Sequence, residues 1–295
     1  MIAAHRLAHA RFETPDLERS IAYYTETNGL VLAAREKGEA FLATRLGRLA
    51  VVLKAGATSS CTALAFEVAP DADLPTMGRK LSELGIKAEE RRDPGPGLAQ
   101  TLAFADPKGT AIELCPRCDF VSVNDTMGVA PFKLGHIAFF VDDPQKIAAF
   151  YQTVLGFRVS DWIEDFFVFL RCNSDHHAVN FIRGGRARLH HMAFELQNFA
   201  HLQVASDELG RRKIPIIWGP VRLGPGHNVA VFHRNADDQV VEFYAELDQM
   251  NDEALGYFEP RPWHRDHPQF PKVWTRTDGA IWGPPPTADF LRDRS

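Results

Sequence analysis

The sequence predicts an α+β protein in which one order of strand, helix and further strands is written twice. Two observations predict it, and the first is an internal repeat. Leu7-Ala-His9-Ala-Arg-Phe12 answers Leu134-Gly-His136-Ile-Ala-Phe139, Cys61-Thr-Ala63-Leu-Ala-Phe66 answers Leu189-His-His191-Met-Ala-Phe194, and Ala111-Ile-Glu113-Leu114 answers Val240-Val-Glu242-Phe243. His9 and His136 lie 127 residues apart, Ala63 and His191 128, and Glu113 and Glu242 129. So small a drift marks one supersecondary unit used twice. The second observation is a change of hydrophobic period within each copy, from the alternation of a strand to the roughly 3.6-residue spacing of a helix and back.

In the first copy the strand around His9 is followed by Pro15, which opens a helix. Leu17, Ile21 and Tyr24 fall on one side of that helix, and Gly29 stops it. In the second copy Asp142, Asp143 and Pro144 make a turn, and Gln145 to Val154 carries Ile147, Phe150, Tyr151 and Val154 on one helical face before Gly156 ends it. Each copy continues through strands rich in Phe, Val and Leu. A further amphipathic helix (74–84 and 199–209) and a last strand pair complete it. Two domains, 1–120 and 133–250, are expected, joined by a linker over 116–133.

The tail, 251–295, carries Pro260, Pro262, Pro268, Pro271 and Pro284 to Pro286 together with Trp263, Trp274 and Trp282. Proline at this density opposes regular structure, while three indoles are unlike a disordered end. The tail is expected to pack on the body, over the mouth of the C-terminal cup or at a subunit contact.

Composition excludes several classes of function. With 45% hydrophobic and 24% charged residues the chain is globular, and a net charge of -5 gives no footprint for nucleic acid. There is no apolar run long enough to span a bilayer and no signal-peptide pattern, so a cytoplasmic protein with no membrane partner is expected. Of four cysteines only Cys115 and Cys118 have the C-x-x-C spacing, and no second pair exists to complete a zinc site. All four are read as structural thiols.

Three ionisable residues stand at strand centres of the second copy: His136, His191 and Glu242. Ile137, Phe139, Phe194, Val241 and Phe243 beside them mark a core, where a charge needs a partner. Any one of the three, taken alone, reads as a hydrogen-bonded core residue. Together, two imidazoles and a carboxylate form the donor set that binds one face of a metal and leaves positions open. A closed structural zinc site would want a fourth protein ligand. Alternation places His136 with Ala138 and Phe140, His191 with Ala193 and Glu195, and Glu242 with Val240 and Tyr244, so three inward faces can meet around one ion.

These motifs resemble the vicinal oxygen chelate (glyoxalase/bleomycin resistance/dioxygenase) superfamily, and within it the two-domain type I extradiol ring-cleaving dioxygenases. The resemblance covers nearly the whole chain. It implies paired βαβββ modules in each of two tandem domains, each forming a curved half-barrel sheet around a cup. It implies His136, His191 and Glu242 as ligands of Fe(II), less often Mn(II), and His177 as the acid–base catalyst. In the first copy Ala63 replaces the second histidine, so that copy is expected to bind no metal. Aromatic diol and O2 are the implied substrates, and a homo-oligomer is expected.

The pattern departs from the family at two places. A tyrosine usually found ten residues before the glutamate is Phe232, and a histidine of the Gly-Pro-x-Arg-His-Gly stretch is Leu223. His227, four residues on, is expected to substitute in part, and Phe181 is placed with the substrate pocket. Alternation predicts that His176 and His190 point away from His177 and His191, and that His233 is a surface residue. Trp162, Phe166, Phe167 and Phe169 either line a pocket for a larger catechol or pack in the core. Arg183, Arg186 and Arg188 read as a solvated loop, or as a contact for a substrate carboxylate. Two rival functions use the same frame: another metalloenzyme of the superfamily, an isomerase or metal-assisted transferase, and a protein that sequesters a small molecule.

Overall fold

The computed structural model describes residues 2–116, 127–253, 257–258 and 271–292. Most of the expected linker, Cys118, and the tail positions Pro260, Pro262, Trp263 and Pro268 lie outside them.

The first repeat runs β1 (Arg6–Thr14), α1 (Leu17–Ala22), β2 (Val31–Glu36), β3 (Glu39–Ala43), β4 (Leu49–Ala55), then β5 (Ser60–Glu67), α2 (Leu74–Glu83), β6 (Ala88–Gly95), β7 (Leu98–Ala105) and β8 (Ala111–Cys115). This is βαβββ written twice. Asp16, not Pro15, caps α1, its side chain accepting from the Arg19 N–H. The helix passes into a π-turn over Tyr23–Asn28 that ends at Gly29, whose φ of 82° needs a residue without Cβ. The eight strands form one sheet in the order β2-β3-β4-β1-β5-β8-β7-β6, with β1 parallel to β4, antiparallel to β5, and β5 parallel to β8.

The second repeat follows the same plan: β9 (Lys133–Val141), α3 (Pro144–Leu155), β10 (Arg158–Ile163), β11 (Phe167–Arg171), β12 (Val179–Arg183), β13 (Arg188–Glu195), α4 (Phe199–Arg211), β14 (Trp218–Leu223), β15 (Val229–Arg234) and β16 (Val240–Ala245). In the tail β17 (Met250–Asp252) pairs with β18 (Tyr257–Phe258), and β19 (Lys272–Trp274), β20 (Ala280–Trp282) and α5 (Ala288–Leu291) follow. The ten-stranded sheet has the order β19-β10-β11-β12-β9-β13-β16-β15-β14-β20. Contacts divide the chain into Met1–Leu134 with Thr153–Gly156 and Asn235–Gln239, and Gly135–Gln152 with Phe157–Arg234 and Val240–Ser295.

Alternation sorts each strand of the second repeat into two faces. One face is packed by helices: Leu202, Ala205 and Leu209 of α4 are buried, and Phe181 of β12 meets Tyr151 of α3 at 5.0 Å between ring centroids. The other face carries the ionisable residues. The tail pairs with both margins of this sheet, β19 running parallel to β10 and β20 antiparallel to β14. Phe290 of α5 is buried in a cluster with Ile217, Val221 and Phe232, which stabilises the tail by about 1.5–3 kcal/mol for one such side chain.

Candidate metal centre

His136, His191 and Glu242 come from β9, β13 and β16, three strands adjacent in the sheet. Their exposures are 1%, 6% and 1%. Nε2 of His136 lies 3.1 Å from Oε2 of Glu242, and Nε2 of His191 lies 3.2 Å from the same oxygen. Among the described residues this is the group of histidine, cysteine and acidic side chains whose donor atoms, all within 4.8 Å of one another, suit a metal ion. Two imidazoles and one carboxylate aimed at a common point fit a divalent metal bound on one face.

Neighbouring groups hold this arrangement. Asn228, at the foot of β15, donates its side-chain amide to Oε1 of Glu242 at 2.7 Å, which leaves Oε2 for the imidazoles. Burial raises the Glu242 carboxyl, but the charges and hydrogen bonds of His136 and His191 outweigh it and bring its pKa down to about 2. Glu242 is therefore an anion at neutral pH, as a ligand must be. Nδ1 of His191 is engaged by Nδ1 of His190, so Nε2 is the nitrogen left for the centre. Tyr244 lies 5.1 Å from His136 between ring centroids, its buried hydroxyl against Gly135, where a side chain would collide with it.

A cavity of about 600 Å³ opens over the three residues, a size usual for small-molecule sites. Phe140, Phe167, Phe169, Trp218, Phe232 and Leu223 give it apolar walls, and His177 and Asn180 reach it too. The ring of His177 is 4.2 Å from that of His136. Burial, with the facing His136, His176 and His191, holds the His177 pKa well below the usual histidine value. It is a neutral imidazole, able to accept a proton.

Several expectations are corrected. Phe181 faces the α3 side of β12, because Asn180 and Ile182, its neighbours, are the ones that line the cavity. His227 is not a lining residue; it is buried with Nδ1 2.6 Å from Asp248. His233 is fully buried against Phe243 rather than on the surface, since the face away from the cavity is covered by α4. His190 does not turn away: it lines the cavity beside His191 and meets Phe140 at 4.8 Å. His176 does not turn away either, and its Nδ1 is 2.9 Å from Nδ1 of His177. Phe232 and Leu223 do line the cavity, as do Phe166, Phe167 and Phe169, while Trp162 does not. Arg183 lines it as well, paired with Asp165. The sequence motifs do not single out Asn228 or Asn180, whereas alternation already puts Tyr244 on the face of Glu242. Counting back by twos from Phe232 reaches Asn228, so its face was legible.

The equivalent place in the first repeat is built differently. His9 lies 3.8 Å from Glu113, but Arg11 and Arg91 both pair with that carboxylate, at 3.0 and 3.3 Å. Burial first, then the charges of Arg11 and Arg6, press the His9 pKa well below its usual value.

The family model of the Glyoxalase/Bleomycin resistance protein/Dioxygenase superfamily matches residues 6–114 and 133–253. The chain belongs to that superfamily. It is 27% identical over 265 residues to the biphenyl-2,3-diol 1,2-dioxygenase of Paraburkholderia xenovorans strain LB400, covering 81% of this chain and 83% of that protein. Its fold matches the Mn(II)-bound glyoxalase of Novosphingobium aromaticivorans with a TM-score of 0.85 at 22% identity, over 98% of this chain and 94% of that one. It also matches homoprotocatechuate 2,3-dioxygenase of Arthrobacter globiformis with a TM-score of 0.82 at 22% identity, over 99% and 92% of the two chains. The superfamily's repeated module accounts for the parallel pairs β1 with β4, β5 with β8, β9 with β12 and β13 with β16. No helix among the described residues is long and apolar enough to cross a membrane.

Proposed function

We propose that this superfamily member is a cytoplasmic, homo-oligomeric extradiol ring-cleaving dioxygenase, with His136, His191 and Glu242 holding Fe(II), or Mn(II), and His177 as its acid–base residue. The convergence of two imidazoles on one carboxylate oxygen beneath an aromatic-walled cavity carries the reading. The relatedness to a biphenyl-2,3-diol dioxygenase over four-fifths of the chain supports it.

A bound Fe(II) would supply Lewis acidity that makes a diol hydroxyl acidic, together with the electron chemistry that O2 requires. The residues around it do the rest. Phe140, Phe232 and Leu223 exclude water and hold the ring. Asn228 and His190 fix the donor atoms of Glu242 and His191. In the overall change the ring bond beside the diol breaks and both atoms of O2 enter a hydroxymuconic semialdehyde or related keto acid. Diol and O2 account for every product atom, so His177 takes a proton from the diol and returns it later. Such transfer commonly contributes ~10²–10⁴-fold.

The test is anaerobic loading with Fe(II) followed by a panel of catechols, with O2 uptake and the visible absorbance of ring-opened product recorded together. Uptake with the chromophore supports the reading. Tight metal without uptake from any diol moves the assignment to an isomerase of the same superfamily. That second reading is favoured by Phe232 and Leu223, which leave the cavity without the tyrosine and histidine that family members use on catechols.

A further inference from the structure

Residues 172–178 lie between β11 and β12, outside regular strand, and there two consecutive histidines meet nitrogen to nitrogen. Nδ1 of His176 is 2.9 Å from Nδ1 of His177, with ring planes at 87°. The far nitrogen of His176, Nε2, is 3.1 Å from Oδ2 of Asp161 on β10. Asp161 in turn accepts the Lys272 backbone N–H on Oδ1 at 3.0 Å and the Trp274 indole N–H on Oδ2 at 2.7 Å, both from the tail strand β19. All three members of the row Asp161, His176 and His177 are buried, at 4%, 2% and 3% exposure. The His176 backbone N–H is held by the Asp248 carbonyl at 2.9 Å, so the turn itself is fixed.

The directions of these hydrogen bonds follow from what each atom can do. An ionised carboxylate only accepts, so Nε2 of His176 carries a proton. In a neutral His176 the other nitrogen, Nδ1, is then an acceptor. A nitrogen–nitrogen contact of 2.9 Å holds one proton, which belongs to Nδ1 of His177. That leaves Nε2 of His177 as the bare nitrogen, on the ring that reaches the cavity beside His136.

We infer that Asp161 and His176 are positioning residues that fix which nitrogen of His177 is basic, holding its proton on Nδ1 and presenting Nε2 to the cavity. The logic is that of a carboxylate that orients an imidazole without itself reacting. Here a second imidazole is interposed, and the carboxylate is shared with the tail. Asp161→Asn removes the charge that enforces the pattern, and one of its two amide orientations reverses it. An amide nitrogen placed at Oδ1 faces the Lys272 N–H, and one placed at Oδ2 faces the Trp274 N–H and turns a donor toward His176, which then gives its own proton to His177 and moves the bare nitrogen inward.

Two measurements test this. The kinetic one rests on the dioxygenase reading above, and the spectroscopic one does not. Long-range 1H–15N spectra of the full chain with zinc as a diamagnetic metal, the His177 signals identified by their loss in His177→Gln, should show His177 protonated at Nδ1 and bare at Nε2. They should show the reverse pattern at His176. A His177 protonated at Nε2 in the unaltered chain overturns the inference, whatever the enzyme turns out to catalyse. In the Fe(II) enzyme, Asp161→Asn should lower kcat by about 10–100-fold, the usual cost of losing such a supporting partner, with metal content and the KM for diol unchanged within about twofold. In a His177→Ala background the same substitution should change kcat by less than about twofold. Trp274→Phe, which removes only the tail's indole contact, should leave kcat within about twofold. Equal losses from Asp161→Asn in both backgrounds would make Asp161 an anchor for the tail alone and overturn its positioning role.

Discussion

Asn228 donates its side-chain amide to Oε1 of Glu242 at 2.7 Å, and so decides which carboxylate oxygen faces the two imidazoles. Asn228→Ala frees that carboxylate to rotate. Metal affinity should fall about 10–100-fold with the fold intact, read by competition against a chelator. Unchanged affinity would show that the strands alone orient Glu242.

His191 and His177 both line the cavity, and the proposed function gives them different work. His191→Ala should lose metal and turnover together. His177→Ala should keep the metal and lose about 10²–10⁴-fold in kcat, since only proton transfer is removed. Metal analysis beside steady-state kinetics separates the two, and the opposite pattern would exchange their roles.

Phe232 sits opposite Glu242 in the β15–β16 register and meets the His191 ring edge-on at 5.9 Å. Phe232→Tyr places a phenolic hydroxyl on the cavity wall at the family's usual position. The expected outcome is a rise of about tenfold in kcat/KM on unsubstituted catechol, about 1.4 kcal/mol of barrier. No gain would mean that this cavity is shaped for a diol that brings its own polar group.

Burial holds His233 neutral, with its pKa pushed down to about 3. The unfolded chain takes up a proton near pH 6.5 and the folded one does not, so more protons are bound in the unfolded state between those limits. Stability therefore rises with pH across that window and is lost on acidification, by up to about 1.4 kcal/mol per pH unit for this one group. His233→Phe, which keeps a ring against Phe243, should flatten the dependence of denaturation midpoint on pH between about 6 and 4. An unchanged slope would place the acid sensitivity elsewhere.

A chain ending at Met250 loses β19, β20 and Phe290, and with them Arg276, Thr277 and Ala280 from the cavity wall. Activity should fall by at least about tenfold and Tm by about 5 °C or more, given that each kcal/mol moves Tm by about 2–4 °C at this size. Full activity with an unshifted Tm would free the tail from both roles.

Much of this was legible before any coordinates, for definite reasons. A repeat in fixed register is independent of packing detail, so one unit of strand, helix and further strands used twice could be read from His9 and His136, Ala63 and His191, Glu113 and Glu242, while its division into βαβββ modules came from the family resemblance. Strand alternation aimed the triad correctly because β9, β13 and β16 are regular where it sits. The same rule failed at His176 and His177 because that segment is a turn, where a period of two has no meaning. It failed differently at His233, and Phe181, placed with the pocket, was misassigned outright. Both face away from the cavity, and a helix covers that side, so for His233 turning away from the site meant entering the core rather than the surface. Asp161 was out of reach: its partners are a histidine 15 residues ahead and an indole more than a hundred residues away, and neither spacing follows from a local period.

The guanidinium groups of Arg11 and Arg91 on Glu113 mean that one substitution would not make the first half match the second. Supplying Ala63 with an imidazole would bring a second nitrogen to a carboxylate already neutralised by two fixed cations, which would repel an incoming divalent ion. Where the second half aims two imidazoles at its carboxylate, the first half aims two guanidinium groups at its own, so the repeated frame sets different partners against its two equivalent carboxylates.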